Sequence, residues 1–300
     1  MSTLQLSVTP FAPDKDFSVY GASYIGRPVS NTAMFISKKV QSLLSALETV
    51  KECLVFAEIG LEVPEELKRT HAFVFTQHPQ MEYARFATRF AEERAKAERQ
   101  LKFNLTEAGY YICEDSTVGA GALIEPGCVI GPDVKIGRNA RILAGAVVRR
   151  ATIGENVLIN ENAVIGANGF TMAEEEDGDK FRIPTLGRVI IGNNVEIGAH
   201  NNISCGSGGN TIIEDNVKLD ALVHIGHDVH LSQNVEITAG ATLGGFVEAG
   251  EKTYIGLGSI LKNRITIGEH ATIGMGAVIG KAVESGVTVI GNPSRIFMKN

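Results

Sequence analysis

The chain has 300 residues, a formal net charge of −6 at pH 7 and both signs of charge interspersed along it. That balance lacks the basic surface with which proteins hold nucleic-acid phosphates, and it argues against a nucleic-acid partner. No apolar run approaches the roughly 18 residues of a membrane span, and MSTLQLSVTPFAPDKD has no basic segment leading into an apolar one, so a cytoplasmic chain without a membrane span is expected.

Composition divides the chain near residue 110, because only four of the 33 glycines precede residue 111 whereas nine of the 13 phenylalanines do. Residues 1–110 are predicted to form a small α/β domain with an aromatic core. SVYGASYIG, CLVFAEIG and HAFVFTQ read as short strands punctuated by Gly, Pro and charge. QMEYARFATRFAEERAKAERQLKF has helical spacing, with Met81, Ala84, Phe86 and Phe90 on one face and EERAKAER as a solvated face. Cys53, Cys113, Cys128 and Cys205 are widely spaced with no CxxC pair, which fits buried thiols better than a zinc or redox site.

Residues 111–300 follow a different plan. From Ile213 an aliphatic residue recurs at every sixth position through Leu219, Ile225, Leu231, Ile237 and Leu243 to Ile279, with only Ala249 departing from Ile, Leu or Val. An earlier ladder runs from Val118 to Val148, slips by one residue to Ile153, Ile159 and Ile165, and resumes at Ile191. Gly follows many of these residues. A period of six fits neither a helix nor isolated two-sided strands; it fits a solenoid of short strands joined by tight turns, with the aliphatic side chain inward. Residues 167–189, ANGFTMAEEEDGDKFRIPTLGRV, interrupt the beat. Phe170 and Phe181 are costly to leave in water, so this insertion is expected to fold back over a groove rather than hang free.

The pattern [Ile/Leu/Val]-Gly-x4 resembles the hexapeptide-repeat acyltransferases, which implies a mainly β fold: a left-handed parallel β-helix following the small α/β domain. The ending GVTVIGNPSRIFMKN resembles that of acetyltransferases in this group. NTAMFISKKV, VFTQHPQMEYARFA, the insertion GANGFTMAEEEDGDKFRIPTLGRVIIG and IIEDNVKLDALVHIGHDV resemble the UDP-3-O-acyl-glucosamine N-acyltransferase family of lipid A synthesis. That likeness implies a homotrimer with clefts between subunits, a nucleotide-sugar-binding first domain and a β-helix acyltransferase domain. Three departures stand out. Of the family's uracil-holding positions only Phe35 matches, with Lys38 and Gln41 at the other two; a second family histidine is replaced by Arg264; and the acetyltransferase-like ending stands where that family has carboxy-terminal helices that dock acyl carrier protein.

Acyl transfer from a thioester to an amine needs a base and a donor for the oxyanion. The resemblance gives the base to His227, the carboxylate that orients it to Asp220, and the backbone N–H facing the thioester to Gly245, with neighbouring Gly244 leaving room for a pantetheine arm. Gly258, Lys262, Lys281 and Arg295 are assigned to the CoA donor, the three cations neutralising its phosphates. Phe35, Lys38, Phe170, His224 and Arg264 are assigned to the acceptor. Plainer readings stay open: Asp220 as a turn cap, Gly245 as a turn glycine, and His224 and His230 as exposed or hydrogen-bonded residues. The function expected is N-acetyl transfer from acetyl-CoA to a nucleotide-linked amino sugar of a surface polysaccharide, without a metal. The alternatives are acyl-carrier-protein-dependent N-acylation of UDP-3-O-acyl-glucosamine, a zinc lyase like the γ-type carbonic anhydrases, and a non-catalytic scaffold. Zinc would want three ligands and an open position, and the histidines here lie at intervals of three within one coil.

Overall fold

A computed structural model describes residues 4–175 and 177–297; Glu176 of the insertion and the last three residues of GVTVIGNPSRIFMKN lie outside them. The chain divides into two compact units. The first comprises Met1–Gln100, Phe170–Gly187 and Ser207–Gly209, and the second Leu101–Gly169, Arg188–Gly206 and Asn210–Asn300. The division falls before Leu101 because the hairpin Phe103–Leu105 and Tyr111–Cys113 already pairs with the first rung of the solenoid.

The first unit is built on a parallel three-stranded sheet in the order Ala33–Ile36, Leu54–Glu58, Ala72–Thr76. The middle strand is covered on both faces, which explains its unbroken apolar run. The helix Pro79–Glu98 opens with proline at its first turn and buries Met81, Ala84, Phe86 and Phe90, the face its spacing predicts. Phe11 meets Phe56 and Phe86 edge-on, at centroid distances of 6.1 and 5.6 Å, so the core is aromatic as expected. The insertion is no loop over a groove. Met172–Glu174 and Lys180–Arg182 form an antiparallel hairpin, and Ala173, Ile183 and Leu186 are buried in the same cluster as Phe56 and Phe86. Arg94 fixes its return by donating to the carbonyls of Thr185 at 2.6 Å and Leu186 at 3.2 Å.

The second unit is a left-handed parallel β-helix. Its strands form three sheets of ten, eight and ten strands, in which successive neighbours are every third strand along the chain, apart from the terminal hairpins and the hairpin extruded by the insertion. Register advances by one coil from His224 to Thr242, Ile260 and Val278, a step of 18 residues. The one-residue slip in the ladder is a shorter coil, visible where Lys135 pairs with Thr152. From Ile130 to Ile279 the ladder residues are buried. A second inward set two positions earlier, including Val217, Val223, Val229 and Val235, fills the space between them. Those Val and Ala residues are less regular in type, so the period of six does not single them out.

Corner residues in the left-handed region recur coil after coil, and Asn139, Asn156, Asn194, Asn216 and Asn234 occupy one such column. Asparagine tolerates this conformation, and Asn156 accepts from Asn139 at 3.3 Å while donating to Asn194 at 3.2 Å. All four cysteines are buried free thiols, and burial pushes the Cys53 thiol up to about 11. Among the described residues no helix is long and apolar enough to cross a membrane.

Candidate active site

His227 stands at a corner of the β-helix, two residues after the inward Ile225. Its Nδ1 lies 2.7 Å from Oδ2 of Asp228, and the two side chains are 15% and 5% exposed, so this contact is largely shielded from water. A carboxylate accepts and does not donate, so Nδ1 carries the proton of this contact. Asp228 is itself fixed from behind: its backbone has φ +60 and its N–H donates to Oγ1 of fully buried Thr211 at 3.0 Å.

Two glycines bracket the imidazole. A Cβ added at Gly245 would fall 2.6 Å from both Cε1 and Nε2 of His227, and one added at Gly169 would fall 2.8 Å from its Cβ. Gly245 follows His227 by one register step of 18 residues, which places it about one strand spacing, ~4.8 Å, further along the helix axis. Among the described residues no acceptor is assigned to the Gly245 N–H. At comparable corners that donor is capped by a side chain, as Asp215 caps Asn193 at 2.6 Å and Glu214 caps Gln233 at 3.2 Å. Phe246 meets the imidazole edge-to-face, with centroids 5.2 Å apart and planes at 89°, and the Arg264 guanidinium lies 4.1 Å over the centroid of the same phenyl ring.

The carboxylate that meets His227 within this chain is Asp228 and not the expected Asp220. Seven residues span a strand and a corner, so within one chain Asp220 sits at the preceding corner of the triangle, exposed, where its Oδ1 accepts from the N–H of Ala221 at 2.7 Å. It is a turn cap there. Gly244 lies against the next coil. Its added Cβ would fall 2.7 Å from the backbone N of Asn263, so glycine is needed there for the next coil to stack. Gly258 has φ +63 and open space around its Cα.

The remaining assignments are scattered. Lys281 continues the column of His227, Gly245 and Asn263 and, with Arg295, lines a depression of about 520 Å³ at the carboxy-terminal end of the solenoid. Lys262 is exposed in the column of Gly244. His224 lies on a strand face between Asn202 and Thr242; desolvation by surrounding protein, then the neighbouring charge of His227, lowers its pKa although its surface still reaches solvent. His230 is hydrogen-bonded to Glu214 at 2.7 Å. In the first unit Phe35 is partly buried against Tyr83 at a centroid distance of 5.3 Å, Lys38 is exposed with its N–H donating to Glu58 at 2.8 Å, and Phe170 is 75% exposed under the Arg182 guanidinium. Among the described residues no group of three or more His, Cys, Asp or Glu is placed to hold a metal ion.

Residues 115–150 and 210–245 match the family model described as bacterial transferase hexapeptide (six repeats). The chain carries hexapeptide repeats. Over 67 residues it is 45% identical to the UDP-3-O-acylglucosamine N-acyltransferase of Cytophaga hutchinsonii, and over 66 residues 52% identical to UDP-3-O-acylglucosamine N-acyltransferase 2 of Legionella pneumophila. Each alignment covers 22% of this chain and 19% of the relative, so the matched stretch spans about a fifth of the curated relatives' length. The solved UDP-N-acetylglucosamine acyltransferase of Campylobacter jejuni superposes with a TM-score of 0.57 and 26% identity, over 65% of this chain and 74% of that one. The resemblance to hexapeptide-repeat acyltransferases read from the sequence is found again in all three comparisons.

Proposed function

We propose that the protein is an N-acyltransferase that moves an acyl group from a thioester to the amine of a nucleotide-linked amino sugar of the UDP-3-O-acylglucosamine type. The observation that carries this reading is the His227 imidazole, with Nδ1 tied to a buried carboxylate and its Nε2 edge against a glycine backbone one coil on. Nε2 then takes the proton that the attacking nitrogen must lose as the tetrahedral intermediate forms. Asp228 holds the ring and stabilises the imidazolium without taking the proton itself. The Gly245 N–H is positioned as a donor to the oxyanion. A base of this kind contributes about 10² to 10⁴ in rate, and one oxyanion donor about 10² to 10³.

The relatives' names support the acceptor chemistry, and they fit N-acylation of UDP-3-O-acylglucosamine more closely than N-acetyl transfer from acetyl-CoA for a surface polysaccharide. Lys38 and Gln41 stand at two of the three positions by which the first domain would hold uracil, so the nucleotide is part of the proposal to be tested. A homotrimeric cytoplasmic enzyme completes it. Mass spectrometry of products from UDP- and dTDP-amino sugars, each offered with acetyl-CoA and with long-chain acyl thioesters on carrier protein, tests all of these parts together. An amide product bearing a long acyl chain on a UDP sugar is expected. An acetylated product alone would move the reading back to acetyl transfer, and no amide from any pair would remove it.

A further inference from the structure

Residues in left-handed corners of this β-helix are mostly Asn, Asp or Gly, types that adopt positive φ without crowding. Phe246 departs from it, as do Arg150, His200, Leu222, Lys252, Arg264 and His270. It has φ +61, in a column it shares with Asp228 at φ +60 and Arg264 at φ +61, and it is the only Phe or Tyr among the described residues with positive φ. Its Cβ is pressed toward the following carbonyl oxygen, a conformation that is costly for a bulky side chain. Strained residues of this kind cluster where a site needs a side chain aimed in one direction.

What Phe246 is aimed at is the His227 ring. Asp228 secures Nδ1 at 2.7 Å, and the backbones at Gly169 and Gly245 close in on the imidazole. The phenyl ring stands perpendicular to the imidazole at 5.2 Å, and the Arg264 guanidinium, 4.1 Å over the same phenyl centroid, holds that ring in turn. Edge-to-face aromatic pairs and a cation over a ring are both favourable and directional. We infer that Phe246 is a positioning residue, kept in a strained backbone conformation because its ring, held by Arg264, fixes the direction of His227 Nε2. This role presupposes His227 as the general base of the proposed reaction.

The decisive variants are Phe246→Asn and Phe246→Gly, which relax the backbone while deleting the ring, and Phe246→Tyr, which keeps the ring. Asn and Gly are expected to lower kcat by at least about tenfold, since a displaced catalytic group costs up to about 10²-fold, with KM for both substrates within about threefold. Their unfolding temperature stays level or rises. Tyr retains kcat within about threefold. Wild-type kcat in Phe246→Asn overturns the inference, and so does a loss of kcat that comes with a fall in unfolding temperature, which would mark the ring as ordinary packing. His227→Ala, run alongside, separates the two readings: if it turns over like wild type, the general base is wrong. The His227 Cε1–H resonance, assigned by its disappearance in that variant, then decides the positioning role without turnover. It is expected to move and broaden in Phe246→Asn, and an unchanged narrow line overturns the role.

Discussion

Gly245→Ala is the substitution whose effect is best defined by the coordinates. The new methyl would lie 2.6 Å from Cε1 and 2.6 Å from Nε2 of His227, and 3.0 Å from Cδ2. Non-bonded carbons rest at about 3.5 Å or more, so the ring must retreat by close to ~1 Å. Gly245 does not lie in the left-handed region, so alanine fits its backbone and the collision falls on the imidazole rather than on the fold. A misplacement of about 1 Å at a reacting group costs about 10²-fold, which corresponds to ~2.7 kcal/mol of transition-state stabilisation. Steady-state kcat with the best donor and acceptor pair is the assay, and thermal unfolding is its companion. The opposite pattern is expected for Gly276→Ala, where φ is +65 and nothing lies within 4 Å of the added Cβ. There the backbone bears the cost, about 1 to 2 kcal/mol of stability, and kcat is unaffected. A Gly245→Ala enzyme within threefold of wild-type kcat would refute the placement of Nε2 against this glycine.

Asp228→Asn is expected to lower kcat by on the order of 10² or more, because an amide can leave the imidazole in the wrong tautomer, whereas Asp220→Asn stays within about threefold; parallel kinetics with fold checked by circular dichroism separate them. His71 gives a pH dependence confined to the first unit. It is fully buried, its Nδ1 accepts from the Cys53 N–H at 3.1 Å, its Nε2 faces the Leu47 carbonyl at 3.2 Å, and burial lowers its pKa below 6.5. Protons therefore bind the unfolded state more readily than the folded one, so stability is lost as pH falls below about 6.5 and the loss levels off below the folded-state pKa. Urea midpoints at pH 7.5 and pH 5, read from first-unit tyrosines and phenylalanines by NMR, are expected to fall for wild type.

The solenoid was legible in the sequence because a period of six leaves a regular mark, and its left-handed β-helix form and the choice of His227 came from the resemblance to hexapeptide-repeat acyltransferases. The carboxylate His227 meets within this chain, Asp228, was not singled out. Asp228 is the very next residue, yet only the corner geometry shows that a side chain at φ +60 can turn back onto Nδ1, with Thr211 behind it, whereas Asp220 seven residues earlier is carried to another corner. Gly169 was invisible for a different reason: the insertion that follows it breaks the count by which residues on adjacent coils are matched. Phe246 escaped notice because nothing in its local sequence announces a phenyl ring at positive φ.

The most direct measurement is the initial rate of thiol release from the acyl thioester, acceptor present, for wild type and His227→Ala side by side. Release dependent on the amino sugar in wild type, and lower by about 10² or more in the variant with its fold intact, is the result this structure leads us to expect. Equal rates in the two proteins would contradict it.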